Sequence, residues 1–283
     1  MTQQSGEVWA AGDAYERYMG RWSRLVADGF VTWLESWPEC GPGARWLDVG
    51  CGTGALTAAV TARCRPRAVL GLDRSAGFVA AARAAATRPA HFAVADGTAL
   101  PVRAEGWDAA VSGLVLNFLP SPSAALAEAA RAVRPGGLVA AYVWDYAEGM
   151  TLLRHFWDAA RAADPSSGAL DEGRRFAMCR PEPLRALWER AGFADVTVAP
   201  LEVTTAFAGF TDLWEPFLSG QGPAPGYVAT LDPPARDRLR DLLRETVPTR
   251  PDGSIALPAR AWAVRGRRPR RVQPFDGQTR LPP

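Results

Sequence analysis

Glycine and aspartate residues in the first third of the chain have the types and spacing of a nucleotide-binding site. A glycine-rich turn (50–54, Gly-Cys-Gly-Thr-Gly) directly follows the apolar run 46–49. Asp73 lies nineteen residues beyond the last of these glycines, and the pair Asp96-Gly97 follows another apolar run. Glycine lets a backbone turn tightly and approach a ligand without β-carbons in the way. The helix expected after the turn offers free N–H groups.

On its own, the glycine-rich turn is compatible with two classes of cofactor. With Ala55 next in the chain, the same residues also fit the Gly-x-Gly-x-x-Gly/Ala pattern of dinucleotide-binding enzymes. A dinucleotide needs room and donors for a pyrophosphate and a second nucleoside. A single adenosine needs one acceptor for its exocyclic amine and a backbone N–H nearby, and Asp96-Gly97 supplies both. This pair favours a cofactor with one adenosine.

Asp73 is expected at the carboxyl end of a second strand, 68–72. In a right-handed β-α-β unit that strand lies beside the first, so an acidic residue at its end faces the glycine-rich turn and can accept both hydroxyls of a ribose. The alternative is that Asp73 caps a helix expected over about 76–87. The distance from the glycine-rich turn favours the ribose role.

The order of the predicted elements indicates an α/β fold. Strands are expected at about 45–49, 68–72, 91–95, 107–115 and 138–144, and helices at about 54–64, 76–87 and from Ser121-Pro122 to the turn 134–137. Strands that alternate with helices in this way form a parallel sheet covered on both faces. Serine before proline is typical of a helix start, and Pro-Gly-Gly of a helix end.

Four segments together resemble a known family. Residues 46–54 resemble motif I of the class I S-adenosylmethionine-dependent methyltransferases, 71–75 its acidic second motif, 95–97 its adenine motif, and 134–137 the turn before its fifth strand. The resemblance covers roughly Trp46 to Tyr146, about a third of the chain, and is best to the small-molecule branch of the ubiquinone/menaquinone-biosynthesis (type 11) enzymes. It implies a Rossmann-like, doubly wound sheet of seven mostly parallel strands, in which strand seven (Ser254–Val264) is an antiparallel edge strand.

The resemblance also implies S-adenosylmethionine as cofactor. The glycines of the turn then pack against the methionine part and the ribose, Asp73 holds the ribose hydroxyls, and Asp96 accepts the adenine amine. Asp48 is expected to organise the turn and the cofactor ammonium. Arg21, which belongs to none of the family motifs, is a candidate partner for the cofactor carboxylate. The predicted cofactor-binding residues are Asp48, Gly50, Cys51, Gly52, Gly54, Asp73, Arg74, Asp96, Gly97, Arg21 and Tyr18.

Methyl transfer from a sulfonium mainly requires that the protein aligns a nucleophile and excludes water. Asn117, after strand four, is expected to orient the acceptor. Asp145, at the carboxyl end of strand five with Tyr146 beside it, is the preferred candidate base. His155 has the intrinsic pKa to remove a phenol or enol proton. Asn117, Asp145 and His155 are the predicted catalytic residues.

The rest of the chain is divided around this core. A long amphipathic helix is expected from Asp13 to Trp37, and large inserts after strands five and six are expected to form a lid over the site. The aromatic residues of the inserts fit ordinary packing equally well. The predicted organisation is an N-terminal cap helix (1–38), the core (39–146), a first lid insert (147–178), the core continuation (179–209), a second lid insert (210–250), strand seven (251–265) and a basic disordered tail (266–283).

Composition excludes several classes of function. The 283 residues include no lysine, so Schiff-base chemistry is excluded, and the four cysteines and two histidines lack the spacing of a metal site. A net charge of +2 and the sequence Asn-Phe-Leu-Pro after strand four argue against a nucleic-acid substrate. No apolar segment is long enough to span a membrane, no signal peptide is apparent, and we expect a cytoplasmic protein.

Two functions from different classes therefore stay open, and the oligomeric state is undetermined. The favoured one is an enzyme that methylates oxygen, carbon or nitrogen of a small, hydrophobic or aromatic metabolite. The second is a catalytically silent S-adenosylmethionine-binding scaffold or regulator. A dinucleotide reductase is a distant third, because no second glycine-rich loop is present.

Overall fold

Seven strands form one central sheet in the computed structural model, which describes residues 20–220 and 222–270. The strands are β1 (Arg45–Val49), β2 (Ala68–Asp73), β3 (Ala90–Val94), β4 (Trp107–Gly113), β5 (Val133–Trp144), β6 (Ala194–Phe207) and β7 (Ile255–Arg267). The α-helices are α1 (Arg21–Leu34), α2 (Ala55–Cys64), α3 (Ala76–Ala85), α4 (Pro122–Ala132), α5 (Thr151–Ala163), α6 (Glu172–Arg175), α7 (Pro181–Arg190), α8 (Phe210–Trp214), α9 (Pro223–Thr230) and α10 (Pro233–Thr246). The predicted α/β class and Rossmann-like sheet are confirmed.

The strand order is β3-β2-β1-β4-β5-β7-β6, with β1 to β5 parallel. β7 is antiparallel, as expected, but it is not the edge strand: it lies between β5 and β6. Burial explains the order. β7 carries small side chains that are fully buried, such as Ala261 and Ala263, whereas much of β6 is half-exposed, as suits an edge.

The turn predicted at 134–137 lies within the start of β5. The pairing of β4 with β5 slips there, from Trp107 opposite Val133 to Ala109 opposite Leu138. The extra residues form an irregularity of the kind that bulges introduce at the end of a strand. The strand predicted to run to Val115 ends at Gly113, and a 3₁₀ turn over Leu116–Phe118 follows.

The helix α1 packs its aromatic face on the sheet. The Phe30 ring lies 4.7 Å from the Tyr142 ring of β5, and the Trp22 ring lies 5.3 Å from that of Phe207 in β6. The helix ends at Leu34, three residues before the predicted end. Its predicted start at Asp13, and with it Tyr18, lies outside the described residues.

The two inserts share an aromatic core. The ring of Phe156 in α5 stacks on that of Phe217 at 4.5 Å, and Trp157 lies 5.9 Å from Tyr227 in α9. Both Phe156 and Trp157 are fully buried. These aromatic side chains therefore hold the inserts to each other, which is the packing alternative considered for them.

The beginning of the predicted basic tail is part of the sheet. β7 continues to Arg267, whose guanidinium pairs with Glu39, and Arg268 pairs with Glu105 at 3.1 Å. The Arg265 guanidinium lies over the Trp33 ring at 4.1 Å. The prediction that residue 266 begins a disordered tail is therefore wrong for 266–268, because internal acidic and aromatic partners bind these arginines. Residues 271–283 lie outside the described part.

No helix within residues 20–220 and 222–270 has the length and apolarity to cross a membrane. The same residues contain no cluster of three His, Cys, Asp or Glu side chains arranged to hold a metal ion.

Candidate active site

A cavity that is open to solvent lies at the carboxyl ends of the parallel strands. Residues from the glycine-rich turn and from the ends of β2 and β3 line one half of it. Residues from the ends of β4 and β5, with side chains from α5, α6, α9 and α1, line the other half. We call these the β1–β3 half and the β4–β5 half. The two halves lie on opposite sides of the boundary between β1 and β4, at which the order of strands along the sheet reverses. Ligands bind at this point in such folds.

The glycine-rich turn is tied to β2. The backbone N–H groups of Gly50 and Cys51 both donate to the Leu72 carbonyl, at 2.7 and 3.0 Å. Gly50 has a φ of +76°, and a β-carbon there would lie 2.4 Å from Cγ1 of Val115. Gly52 also has a positive φ, of +53°, but a β-carbon there would meet no protein atom within 4 Å. The turn therefore leaves an open cradle above Gly52.

Asp73 joins the turn to the start of the following helix. Its Oδ2 accepts a hydrogen bond from the Gly52 N–H at 3.0 Å, and its Oδ1 accepts one from the Ser75 N–H at 2.8 Å. Ser75, not Asp73, caps α3, since its hydroxyl accepts from the Phe78 N–H. The capping alternative for Asp73 is thus wrong. Each carboxylate oxygen has a second lone pair that can accept from a ligand hydroxyl.

Asp48 is fully buried below the turn and does not belong to the cavity lining. Its Oδ2 accepts a hydrogen bond from the Thr57 hydroxyl in α2 at 2.6 Å. Its Oδ1 has no hydrogen-bond partner among the described residues. Burial raises the pKa of this carboxyl to about 7. A buried, unpartnered carboxyl oxygen beneath the turn is a site for a cation or a bound water.

Asp96 and Gly97 both line the cavity at the end of β3. Oδ1 of Asp96 accepts from the N–H and the hydroxyl of Thr98, at 2.8 and 2.7 Å. These bonds, the one to the backbone first, hold the pKa of Asp96 below its usual value. Gly97 packs against Val49, whose Cγ1 would lie 3.1 Å from a β-carbon at that position.

The cavity brings together most of the predicted cofactor-binding residues. Those that line it are Gly50, Cys51, Gly52, Asp73, Arg74, Asp96 and Gly97. Gly54 lies behind the lining with Asp48. Arg21 is the first residue of α1, but its side chain, like the whole of Tyr18, lies outside the described part of the chain.

Asp145 occupies a different place from the one predicted. Its Oδ2 accepts hydrogen bonds from Nε and Nη2 of Arg260 in β7, at 2.8 and 2.6 Å, and its Oδ1 accepts from the Glu148 N–H. The described residues that line the cavity do not include it. The prediction of Asp145 as the base is corrected accordingly. The cause is the position of β7 beside β5, which brings Arg260 to the end of that strand.

The other two predicted catalytic residues also lie outside the cavity lining. His155 is half-buried on α5, and burial lowers its pKa. Asn117 is buried in the 3₁₀ turn after β4, and neither its Oδ1 nor its Nδ2 has a partner among the described residues. Its neighbours Phe118 and Leu119 line the cavity in its place.

Sequence reasoning missed one acidic residue of the cavity. Glu172, the first residue of α6, is only 2% exposed and lines the β4–β5 half. Its Oε2 accepts a hydrogen bond from Nε1 of the buried Trp157. Burial raises its pKa to about 7. The one signal in the sequence was an acidic pair, Asp171-Glu172, within an insert that otherwise shows no pattern.

These groups fit S-adenosylmethionine. The cofactor carries an adenine amine, two ribose hydroxyls and an ammonium, all of which donate hydrogen bonds. The β1–β3 half supplies Asp96 and Asp73 as acceptors, and the unpartnered Oδ1 of Asp48 lies buried beneath the glycine-rich turn, outside the cavity lining. The cradle above Gly52 has the room that a bulky ligand needs close to backbone.

Comparison with known proteins agrees with this fit. Residues 47–141 match a family described as methyltransferase domain. A trans-aconitate 2-methyltransferase of Methylobacterium nodulans is 30% identical over 221 residues, which cover 76% of this chain and 83% of that protein. The chain belongs to the class I S-adenosylmethionine-dependent methyltransferases. The predicted family, cofactor and enzyme class are thereby confirmed, and the dinucleotide alternative is dropped.

Other methyltransferases are similar over shorter stretches or in fold alone. A malonyl-[acyl-carrier protein] O-methyltransferase of Geobacter sulfurreducens is 35% identical over 158 residues, or 55% of this chain and 57% of that one. The YcgJ protein of Bacillus subtilis has the same fold, with a TM-score of 0.55 and 15% identity over 87% of this chain and 98% of that chain. So has a phosphoethanolamine N-methyltransferase 2 of Haemonchus contortus, with a TM-score of 0.55 and 17% identity over 92% of this chain and 57% of that chain.

Proposed function

We propose that this methyltransferase transfers a methyl group to a small acceptor with an apolar, largely aromatic body. The observation that carries the proposal is the lining of the β4–β5 half of the cavity. Four aromatic side chains form part of it, and aliphatic side chains, among them Leu153 of α5 and Pro223 of α9, complete its apolar surface. The aromatic residues are Phe118, Tyr142, Trp144 and Tyr146. Pockets that take small apolar ligands are lined in this way.

In this proposal the cofactor occupies the β1–β3 half. Asp73 accepts hydrogen bonds from the ribose hydroxyls through the lone pairs that Gly52 and Ser75 leave free. Asp96 accepts the adenine amine through Oδ2, since Thr98 occupies Oδ1. The bound cofactor supplies an electrophilic methyl group on a sulfonium.

The remaining task of the protein is to position the acceptor and to exclude water. The inserts contribute to both. Their helices α5, α6 and α9 each place a side chain in the cavity wall, and Ser23 of α1 adds one from the N-terminal helix. We therefore propose that residues 39–146 form the core and that the inserts over 147–178 and 210–250 form a lid over the cavity.

The acceptor is proposed to be a small molecule and not a nucleic acid. Polyphosphate binding requires free cationic side chains on one surface. Of the arginines in the predicted tail, Arg267 and Arg268 are engaged with internal acidic residues. The relatives include both small-molecule enzymes and a probable tRNA methyltransferase 9B of Bos taurus, 30% identical over 60% of this chain and 38% of that one, so the test must include both acceptor classes.

The experiment is a transfer assay with methyl-labelled S-adenosylmethionine and a cell extract, separated by size into metabolites, protein and RNA. We expect label in the metabolite fraction, extractable into organic solvent. A matched variant, Phe118→Ala, removes an aromatic wall of the β4–β5 half and should lower this transfer without weakening S-adenosylhomocysteine binding. Label confined to RNA or protein would contradict the proposal. Cofactor binding without any labelled product would favour the silent scaffold.

A further inference from the structure

Glu172 lies where a carboxylate is least expected. It is 2% exposed, it lines the cavity, and its neighbours in the wall are aromatic and aliphatic side chains. The next residue, Gly173, packs so closely on the end of β5 that a β-carbon there would lie 2.7 Å from the Tyr146 carbonyl oxygen. The start of α6 is therefore seated directly beside the aromatic wall formed by Tyr146.

The other charged side chains of the described lining are in the cofactor half. Asp73 is the last residue of β2 and Arg74 follows it, while Asp96 lies just after β3. Among the described residues that line the β4–β5 half, Glu172 is thus the only charged one, and an acceptor bound there would meet it. Burying a carboxylate costs free energy unless it is paired and hydrogen-bonded, so a buried carboxyl that lines a cavity calls for an explanation.

The surroundings hold the Glu172 carboxyl in place without neutralising it. Trp157 is a neutral donor and occupies Oε2. Arg154, the cation whose charge acts on Glu172, forms a bidentate pair with Asp171, with Nη1 3.0 Å from Oδ2 of that residue. The Arg154 charge is therefore matched by Asp171. The Glu172 carboxyl also accepts from its own backbone N–H, and its remaining lone pairs can accept from a ligand in the cavity.

We propose that Glu172 is the base that receives the proton of the acceptor, and that the acceptor nucleophile is an amine or a hydroxyl group and not a carboxylate. This inference rests on the proposed function, because it assigns the β4–β5 half to the acceptor. A carboxylate acceptor would face the Glu172 charge at close range, whereas a donor group can bind to it. The acceptor class then differs from the trans-aconitate for which one relative is named.

In the methyl transfer, the methyl carbon exchanges its bond to sulfur for a bond to the acceptor. A lone pair of the nitrogen or oxygen forms the new bond to the methyl carbon, while the carbon–sulfur bond breaks and its electron pair stays on sulfur. The proton of the nucleophile passes to Oε1 of Glu172, which becomes a neutral carboxyl. The products are S-adenosylhomocysteine and the methylated acceptor, and the proton later returns to solvent.

The electrostatic surroundings suit this role. Burial raises the pKa of Glu172 to about 7. The hydrogen bonds from its own backbone N–H and from Trp157 oppose that rise, Asp171 adds to it, and the Arg154 charge opposes it. A base works best when its pKa lies near the working pH. Arg161 of α5 is a further cation near these residues, and its charge helps to lower the pKa of Asp171.

The test uses three probes with the same ring and different head groups: 2-naphthol, 2-(aminomethyl)naphthalene and 2-naphthoate. Their affinities are measured by calorimetry at pH 8 on the full chain saturated with S-adenosylhomocysteine. We expect 2-naphthoate to bind more than about tenfold more weakly than the other two. In the Glu172→Gln variant 2-naphthoate should gain affinity, the amine should lose it, and S-adenosylhomocysteine affinity should be unchanged. Glu245→Gln, at an exposed position of α10, is the matched control.

A pH series on the wild-type chain makes the test independent of how well the variant folds. The affinity for 2-naphthoate should rise as the pH falls through about 7, because Glu172 then takes up a proton beside the ligand. Equal affinity for the three probes, or the same ranking in Glu172→Gln, would overturn the inference and leave the proposed function intact. Binding of S-adenosylhomocysteine but of none of the probes would contradict the apolar acceptor site, and the inference with it.

Discussion

Asp145 and Arg260 form an ion pair, with Oδ2 2.6 Å from Nη2, that joins the end of β5 to the neighbouring β7. The side chains are 3% and 27% exposed, so the carboxylate is buried and the guanidinium partly so. The same two residues are also joined by a backbone hydrogen bond, from the Asp145 N–H to the Arg260 carbonyl. This arrangement fixes the strand end beside the cavity and gives Asp145 a structural role.

The first prediction follows from that role. Asp145→Asn should lower the free energy of unfolding by about 2–3 kcal/mol, because it removes the buried charge partner of a partly buried guanidinium and leaves only the exposed Glu148, 3.6 Å away. Urea unfolding measures the loss. The control Asp158→Asn breaks the exposed pair with Arg161 and should cost less than about 0.5 kcal/mol. Loss of methyl transfer in Asp145→Asn without loss of stability would restore Asp145 as a catalytic residue.

A second prediction concerns Asp73. Asp73→Asn replaces one carboxylate oxygen by an NH₂ group, which cannot accept a hydrogen bond. The variant therefore loses one backbone bond, from the N–H of Gly52 or of Ser75, and the bond from a ribose hydroxyl to the same oxygen. We expect affinity for S-adenosylhomocysteine to fall by about 10- to 100-fold, as for the loss of a charged hydrogen bond. Isothermal calorimetry measures the change, with Asp237→Asn on the exposed face of α10 as control. An unchanged affinity would remove Asp73 from the cofactor site.

Two glycine-to-alanine variants form the third prediction, because they distinguish the effect of steric clash from the effect of backbone conformation. In Gly50→Ala the new β-carbon collides with Val115, so both stability and cofactor affinity should fall. In Gly52→Ala no protein atom is in the way, so the loss of stability should be only about 1 kcal/mol, from the positive φ. Its β-carbon fills the cradle, so cofactor affinity should fall far more than stability.

Gly29→Ala is the matched control for these variants. Gly29 lies within α1, has no neighbouring atom within 4 Å of a β-carbon, and should gain about 0.5–1 kcal/mol on substitution. Thermal unfolding and calorimetry on the same samples separate the two effects. Equal cofactor affinity of Gly52→Ala and wild type would mean that the cofactor does not occupy the cradle.

The cofactor half of the site could be predicted from the sequence because it depends on local spacing. In a β-α-β unit, the distance along the chain fixes which strand ends are neighbours, so the glycine-rich turn and Asp73 meet wherever the fold forms. The contact between Asp73 and the Gly52 N–H realises that expectation. Cys51 and Arg74 reach the same cavity because they are adjacent to those two positions.

The acceptor half could not be predicted in this way, because it depends on contacts between distant segments. Arg260 meets Asp145 across 115 positions of the chain, and only the order of β5, β7 and β6 brings them together. Glu172 reaches the cavity because Trp157 and the packing of Gly173 on Tyr146 hold α6 there. Neither contact leaves a periodic signal in the sequence.

The last prediction concerns the pH dependence of stability. Asp48 and Glu172 are buried carboxyls whose pKa values are raised to about 7 in the folded chain, from ordinary values near 4. Between about pH 4 and pH 7 the unfolded chain releases these two protons while the folded chain retains them. Stability contributed by each group is therefore present at low pH and is lost as the pH rises through that window, at up to about 1.4 kcal/mol per pH unit.

Asp48→Asn and Glu172→Gln should each remove one such contribution. Relative to wild type, each variant should therefore gain stability between pH 5 and pH 8, as measured by urea unfolding at both values. Asp241→Asn, exposed on α10, keeps both groups, so its stability should differ from that of wild type by the same amount at the two pH values. Adding S-adenosylhomocysteine should affect the two carboxyls differently. Its ammonium should favour the charged form of Asp48 and so reduce the contribution of Asp48 to the pH dependence of stability. The contribution of Glu172, which lines the β4–β5 half, should stay unchanged. A variant that tracked wild type at both pH values would mean that its carboxyl is ionised in the folded chain.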